Sequence, residues 1–368
     1  MSFLHIMLNE KFTDGVVDFY DAYLNNGNHV IGYLDADFLA NHKEKYTIPA
    51  IAVELTGNRF KDLKYYILLQ NKYDYIVFHS LPSLQMISPL IYFLPVGYFK
   101  KSIWIEWGGD LYDDRKGLKA ILRNRFKKNV GTFIAIFPPD IDKYKELFPD
   151  SKAKIYYAPY EVNRTVDEEY NKKYTISKLE QHLKIRNTVF IQIGQNRNKM
   201  LNHESALRIL SRFNDKDIKV LLPLSYGGEE SYADYIQNYA EKLFPEKNIV
   251  LRKMMSKEEY FDFLQDVDIA IFYTYRQAGL SNIYHLLWRK VKVYLPENSI
   301  MYNYFISRGA PVYSIESIDN GTFDDFISPP KNIDDNKYEK FWEEVTNKEW
   351  ISRKWNDIFE KIDRKGLD

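Results

Sequence analysis

The side chains best suited to chemistry stand where apolar runs give way to glycine-bearing turns. In Ile191-Gln192-Ile193-Gly194-Gln195-Asn196-Arg197-Asn198 an apolar strand ends on Gly194, and a polar loop leads into a helix starting near Asn202. Free backbone N–H groups at such a junction suit a phosphate or diphosphate, with Arg197 and Asn198 beside them. His203, at the mouth of the helix, could touch phosphate or sugar. The loop lacks both the Gly-Lys-Ser/Thr ending of a triphosphate loop and the three-glycine dinucleotide spacing. An ordinary polar loop at a sheet edge is the competing reading.

A second junction, Ile103-Trp104-Ile105-Glu106-Trp107-Gly108-Gly109-Asp110, offers Asp110 and Glu106 as candidate catalytic carboxylates. In open parallel sheets ligands gather beyond the carboxyl ends of the strands. A carboxylate in such a place can take up a proton as a general base. The alternative makes Gly108-Gly109 a tight turn and Asp110 a helix cap. Glu106 sits in an aromatic-rich strand, where an unpaired charge is costly. A third junction runs from Phe272 to Asn282, where Arg276, Gln277, Ser281 and Asn282 can donate to phosphates or sugar hydroxyls ahead of a helix N-terminus. A polar turn capped by Ser281 explains the same residues. Glu297, after Leu295-Pro296, can accept from a ribose diol or be a solvated loop glutamate. His79 follows a buried strand. The Asp-x-Asp sequence Asp266-Val267-Asp268 enters a strand and reads as the far edge of a sheet, so no metal site is expected from it.

The elements that position these residues alternate. Strands are expected at 4–8, 29–33, 75–78, 102–107, 132–137 and 155–157, then at 188–193, 218–222, 249–251, 268–272 and 291–295. Between them lie amphipathic segments such as 15–24, 203–213, 232–243 and 280–288, with a capping box at Ser256 and Glu259. Near-continuous apolar strands separated by short helices imply parallel sheets covered on both faces. The expected organisation is a first domain over 1–165, a charged connection over 166–186, a second domain over 187–330 and a helical tail over 331–368. Tyr338 to Ile362 is read as helix able to pack back on the first domain.

Length and composition agree: 368 residues suit two domains, and 45% apolar residues suffice for two cores. With 51 basic and 51 acidic residues, a general nucleic-acid binder is disfavoured. The lack of cysteine removes disulfides, thiolate catalysis and thiolate metal sites. The N-terminus has no signal-peptide design, and no apolar run is long enough to span a bilayer. The apolar stretch Met86–Phe99 runs into Lys100-Lys101. After it, Arg115, Lys116, Lys119, Arg123, Arg125, Lys127 and Lys128 alternate with Leu118, Ile121, Leu122 and Phe126. That mixture suits either an anionic membrane surface or a core segment followed by a solvated basic helix.

Several of these residues fall in an ordered pattern. It comprises Trp104, Trp107, Gly108, Asp110, Leu111 and Tyr112; then Gly194, Gln195, Asn202, Ala206, Leu207 and Arg208; then Val220, Pro223 and Tyr226; then Arg276, Gln277 and Gly279; and finally Glu297-Asn298. In this order the chain resembles the TDP-N-acetylfucosamine:lipid II N-acetylfucosaminyltransferase family over roughly residues 100–315. It departs at Ile105, Glu106, Ala278 and Ser281, which flank the expected sugar pocket. The resemblance implies a GT-B-like α/β fold, two facing Rossmann-like doubly wound domains with an interdomain cleft. It also implies a metal-independent glycosyltransferase without cofactor. The implied partners are a nucleotide-diphosphate sugar donor and a lipid-linked saccharide acceptor, at the cytoplasmic face of a membrane. Gly194, Gln195, Asn196, Arg197, Asn198 and Arg276 would hold the diphosphate, Glu297 the ribose, and Tyr226 the nucleotide or sugar. A nucleotide-sugar epimerase of the same build and a non-catalytic partner subunit of a glycosylation complex are the rival expectations.

Overall fold

The apolar runs pair as buried parallel strands. The computed structural model describes residues 1–7, 13–112, 116–159, 186–328 and 334–364. It divides into one unit of Met1–Val162 with Asn347–Asp368 and another of Asn163–Thr346. Most of the expected connection, and Arg115, lie outside the described residues.

The first unit contains β1 (Phe3–Met7), β2 (His29–Tyr33), β3 (Ala50–Ala52), β4 (Tyr75–His79), β5 (Ser102–Ile105), β6 (Thr132–Ala135) and β7 (Lys154–Tyr157). They form one parallel sheet in the order β3-β2-β1-β4-β5-β6-β7. Successive side chains on a strand point to opposite faces. Leu4 and Ile6 therefore join one core with Phe78, Trp104 and Phe126, while Phe3 and Met7 join another with Val17, Tyr20 and Trp355. Both faces being covered is why these strands read as unbroken apolar runs.

The second unit contains β8 (Val189–Ile193), β9 (Ile218–Pro223), β10 (Asn248–Leu251), β11 (Ile269–Ile271), β12 (Lys292–Leu295) and β13 (Val312–Ser314). Its parallel sheet has the order β10-β9-β8-β11-β12-β13. Both sheets are doubly wound: the order reverses between β1 and β4 in one and between β8 and β11 in the other. Two strands, β3 and β13, escaped the sequence reading because each is only three residues long at a sheet edge.

The tail differs from the single helix expected. Two helices, Asp335–Thr346 and Lys348–Arg364, are separated by Asn347, whose Oδ1 accepts from the Trp350 amide at 2.9 Å and starts the second. In the second unit Phe341 and Trp342 of the first helix pack against Tyr284. In the first unit Trp355 donates to the Pro159 carbonyl at 2.9 Å and stacks near Phe359. The second helix covers one face of the first sheet, and the first helix belongs to the second unit.

Asp266-Val267-Asp268 lies where β11 begins. Asp268 accepts from Arg186 Nη2 at 2.9 Å and from the Phe190 amide at 2.8 Å, which pins the starts of β8 and β11 together. Among the described residues no helix is long and apolar enough to cross a membrane.

Candidate functional site at the strand ends of the second unit

In a doubly wound sheet the two loops flanking the reversal diverge to opposite faces, leaving a crevice beyond the strand ends. Here those loops follow β8 and β11, and they are joined. The Gly194 amide donates to the Ile271 carbonyl at 2.9 Å, and Asn202 Nδ2 donates to the Tyr273 carbonyl at 2.9 Å. Gly194 has φ +64°, and a Cβ there would stand 2.6 Å from His203 Nε2, so only glycine fits this turn. Asn202 takes the left-handed conformation at φ 44° and hands the chain into helix His203–Leu210. Asparagine tolerates that region better than most residues.

Across the crevice, Gly279 (φ +67°) begins helix Leu280–Trp288, whose first turn receives no side-chain cap. The Gln195 side chain lies against it. Gln195 is 5% exposed and Gln277 is 8% exposed, and the side-chain oxygen of each has no hydrogen-bond partner among the described residues. Buried polar atoms are nearly always satisfied, and these two oxygens, beside a helix start without a side-chain cap, can accept from further donors. The helix amides supply positive potential for an anion.

Beneath this floor is a polar network. Gln192 Nε2 donates to the Gly194 carbonyl at 2.7 Å, and the Tyr260 hydroxyl donates to Asn282 Oδ1. Gln192 and Tyr260 were not singled out in the sequence, although an amide inside an otherwise apolar strand was a usable signal. His203 is fully buried with Nδ1 3.2 Å from the Tyr232 hydroxyl. Burial pulls its imidazole down to about 4, with a backbone contact at Asn196 acting the other way, so it is neutral at pH 7.

Arg197 does not present an open fork. Its Nε donates to the Gly228 carbonyl at 2.7 Å and Nη1 to Ser225 at 3.0 Å, while Nη1 pairs with Glu230 at 2.8 Å. The guanidinium clamps the loop after β8 onto the loop after β9. Asn196 and Asn198 also serve the loop: Asn196 Oδ1 accepts from the Asn198 amide at 2.9 Å, and Asn198 Oδ1 accepts from Met200 at 3.0 Å. Tyr226, Arg276 and Ser281 are half-buried. Glu297 is exposed after β12, its amide donating to Glu316 at 3.2 Å.

The carboxylates of the first unit are internal anchors. Asp110 Oδ2 accepts from Trp104 Nε1 at 2.7 Å and from the Leu81 amide at 3.0 Å, and Oδ1 accepts from Trp107 at 3.0 Å. It ties the end of β4 to the turn after β5. Glu106 is fully buried and accepts from the Gly108 amide at 2.5 Å. Burial, then the Asp140 and Asp110 charges and a hydrogen bond with Asp140, push its carboxyl well above the usual range. The charged form of Glu106 is thus disfavoured by its surroundings. The sequence placed both carboxylates just beyond β5 but could not show that the Asp110 oxygens accept from three donors.

His79 ends β4 but is 1% exposed. It forms a chain with its strand neighbours, His5 Nδ1 lying 3.0 Å from His79 Nε2 and His5 Nε2 lying 2.9 Å from His29 Nδ1. Burial holds His79 down to about 3 and His29 to about 4. His5 lies well below its ordinary value through burial and then the charges of the other two.

Two doubly wound parallel units, with an anion-suited crevice at the strand reversal of the second, define a protein of the GT-B-like class. The family model described as 4-alpha-L-fucosyltransferase glycosyl transferase group 56 matches residues 71–352. The chain belongs to this glycosyltransferase family. Among solved structures it is similar to a glycosyltransferase from Rickettsia africae ESF-5, with 12% identity, a TM-score of 0.66 and 98% of each chain covered. It is also similar to Anabaena HepE in complex with UDP-glucose, with 12% identity, a TM-score of 0.66, and 98% of this chain and 100% of that one covered. Sucrose-phosphate synthase from Thermosynechococcus elongatus matches with 9% identity, a TM-score of 0.64, and 99% and 100% coverage. At these identities the likeness establishes the fold.

Proposed function

We propose that the chain moves an amino or deoxy sugar from a nucleotide diphosphate donor to a polyprenyl-diphosphate-linked saccharide in cell-surface glycan assembly, with TDP-N-acetylfucosamine as the candidate donor. The observation that carries this reading is the pairing of Gln195 with Gly279 at the uncapped start of helix Leu280–Trp288. The diphosphate sits on those first-turn amides, and Arg276 reaches it from the same loop. The Gln195 and Gln277 oxygens accept from donor hydroxyl or amide groups. Glu297, exposed after β12, is left to the ribose, and Tyr226 to the base or sugar.

As the bond from the sugar carbon to the diphosphate breaks, the acceptor oxygen bonds to that carbon and its proton passes to a base. Negative charge gathers on the departing diphosphate, and preoriented amides lower the barrier there. Arg197 holds the loop in place. Asp110 serves as an anchor on the acceptor side, its oxygens accepting from three donors. The acceptor is met at the cytoplasmic surface of a membrane, with the chain bound peripherally.

A thermal-shift screen against nucleotide diphosphates and their sugars tests the donor half, because a ligand raises apparent stability by binding the folded state. Labelled donor incubated with membrane lipids tests transfer. Stabilisation by a nucleotide sugar with label entering the lipid fraction is expected. Sugar conversion without lipid label would mean an epimerase. Absence of any nucleotide effect would mean a non-catalytic partner.

A further inference from the structure

One helix layer of the first unit has a composition unlike the rest of this charge-balanced chain. It consists of the helix Arg59–Lys72, the turns Pro82–Ile87 and Pro89–Phe93, the short helix Val96–Lys100 and the helix Leu118–Asn129. These pieces are bonded into one surface. Ser88 Oγ donates to the Arg59 carbonyl at 2.9 Å, Gln70 Nε2 to Tyr98 at 3.0 Å, and Arg125 Nη1 to Tyr92 at 2.8 Å. The only acidic side chain within residues 59–72, 82–101 and 116–129 is Asp62, which is buried and accepts from the amide and hydroxyl of Thr56.

The basic side chains split in two. Arg123 and Lys127 are buried, Arg125 is committed to Tyr92 and the Phe99 ring, and Lys128 pairs with Asp150. These hold the fold, which corrects the simple view of a solvated basic helix. Arg59, Lys61, Lys64, Lys116 and Lys119 are exposed and have no ion-pair partner among the described residues. Among them stand Phe60, Met86, Phe93, Leu118 and Ile121, each 57 to 76% exposed. Phe60, Leu118 and Ile121 sit on the first turns of helices that follow β3 and β5, so they mark the rim beyond the strand carboxyl ends.

We propose that this layer is a docking face for an anionic phospholipid bilayer. Separate apolar side chains projecting from a uniformly basic surface match an interface in which they enter the acyl boundary and lysines meet headgroup phosphates. An acidic protein partner would more naturally bury them in a complementary recess. The helix Arg59–Lys72, distant in sequence from the basic segment at 116–128, becomes part of the same face only in the fold. The inference deepens the acceptor half of the proposed reaction and rests on that reading for its purpose. It brings the rim to the surface where a lipid-linked acceptor resides.

The test uses the full chain with vesicles of phosphatidylcholine, with and without phosphatidylglycerol, and neither donor nor acceptor present. Sedimentation with the anionic vesicles only, reversed by salt, is expected. The triple variant Lys61→Glu, Lys64→Glu, Lys119→Glu and the pair Phe93→Ser, Ile121→Ser should each lower partitioning at least about tenfold. Both should keep the parent melting temperature. Phe93→Trp should show a blue shift with anionic vesicles. Equal binding to neutral vesicles, no binding to either, or unchanged partitioning in the folded variants overturns the proposal. Failure here would leave the donor site untouched, and failure of the nucleotide screen would leave the docking face untouched.

Discussion

Gly279 lies directly against the side chain of Gln195: a Cβ at 279 would stand 2.7 Å from both Cδ and Oε1 of the amide. The contact joins the two loops flanking the strand reversal, and a larger residue at 279 would displace the Gln195 side chain. Gly279→Ala should therefore cost about 1–2 kcal/mol from the left-handed backbone alone. It should also weaken nucleotide-sugar binding at least about tenfold as Gln195 is displaced. Calorimetry with a nucleotide-sugar, beside a thermal melt, checks both. Unaltered affinity would remove this contact from the donor site.

Gln195→Leu separates ligand binding from stability. Its side-chain oxygen is buried without a partner, a situation worth about 1–3 kcal/mol against the folded state. An apolar replacement of similar size should leave the melting temperature equal or a few degrees higher, while donor affinity falls. A lower melting temperature with intact affinity would assign Gln195 to packing instead.

Arg197→Lys removes the planar fork that reaches Gly228, Ser225 and Glu230. Lysine supplies charge but cannot make these bonds together. The expected result is a drop of about 2–4 °C in melting temperature and weaker donor affinity, unrelieved by added phosphate. Phosphate rescue would instead indicate direct anion contact.

Asp110→Asn tests anchoring against base catalysis. An asparagine can accept with one oxygen only and turns an N–H donor toward one of Trp104, Leu81 or Trp107, at a cost of about 1–3 kcal/mol. A double-mutant cycle with Trp104→Phe should reveal coupling between the two in chemical denaturation. A variant as stable as the parent but with turnover abolished would restore Asp110 as the base.

The His29–His5–His79 chain predicts a pH dependence for the first unit. Each imidazole titrates in the folded state well below its unfolded value of 6.5, at about 4 for His29 and about 3 for His79. The unfolded chain thus takes up protons first. Stability is fully present above about pH 6.5 and is lost as pH falls toward 4, by up to about 1.4 kcal/mol per pH unit per histidine. Denaturant midpoints across this range should show that slope, reduced in His29→Asn. Equal slopes would mean that other groups govern the loss.

Much of the architecture was readable because burial on both sheet faces leaves continuous apolar strands, and polar loops punctuate them. The short edge strands Ala50–Ala52 and Val312–Ser314 were hidden because three residues carry too little pattern. Asn347 looked like one residue in a helical run, yet its side chain begins a new helix in a different unit. The glycines and polar residues at strand ends were visible as a set. What each does was not, since hydrogen-bond partners come from distant segments.

The order of residues by itself determined the alternation of strand and helix, the two-unit division and the loops where chemistry could reside, because these follow from local propensity and hydrophobic period. Tertiary structure decided which polar atoms were already committed. It gave the Arg197 donors to the β9 loop and the Asp110 oxygens to Trp104, Leu81 and Trp107, and left the Gln195 and Gln277 oxygens open. It also merged the helix at 59–72 with that at 118–129 into one basic, apolar-studded face. A hydrogen-bonding group has few directions to offer, and only the fold reveals which of them remain for a ligand.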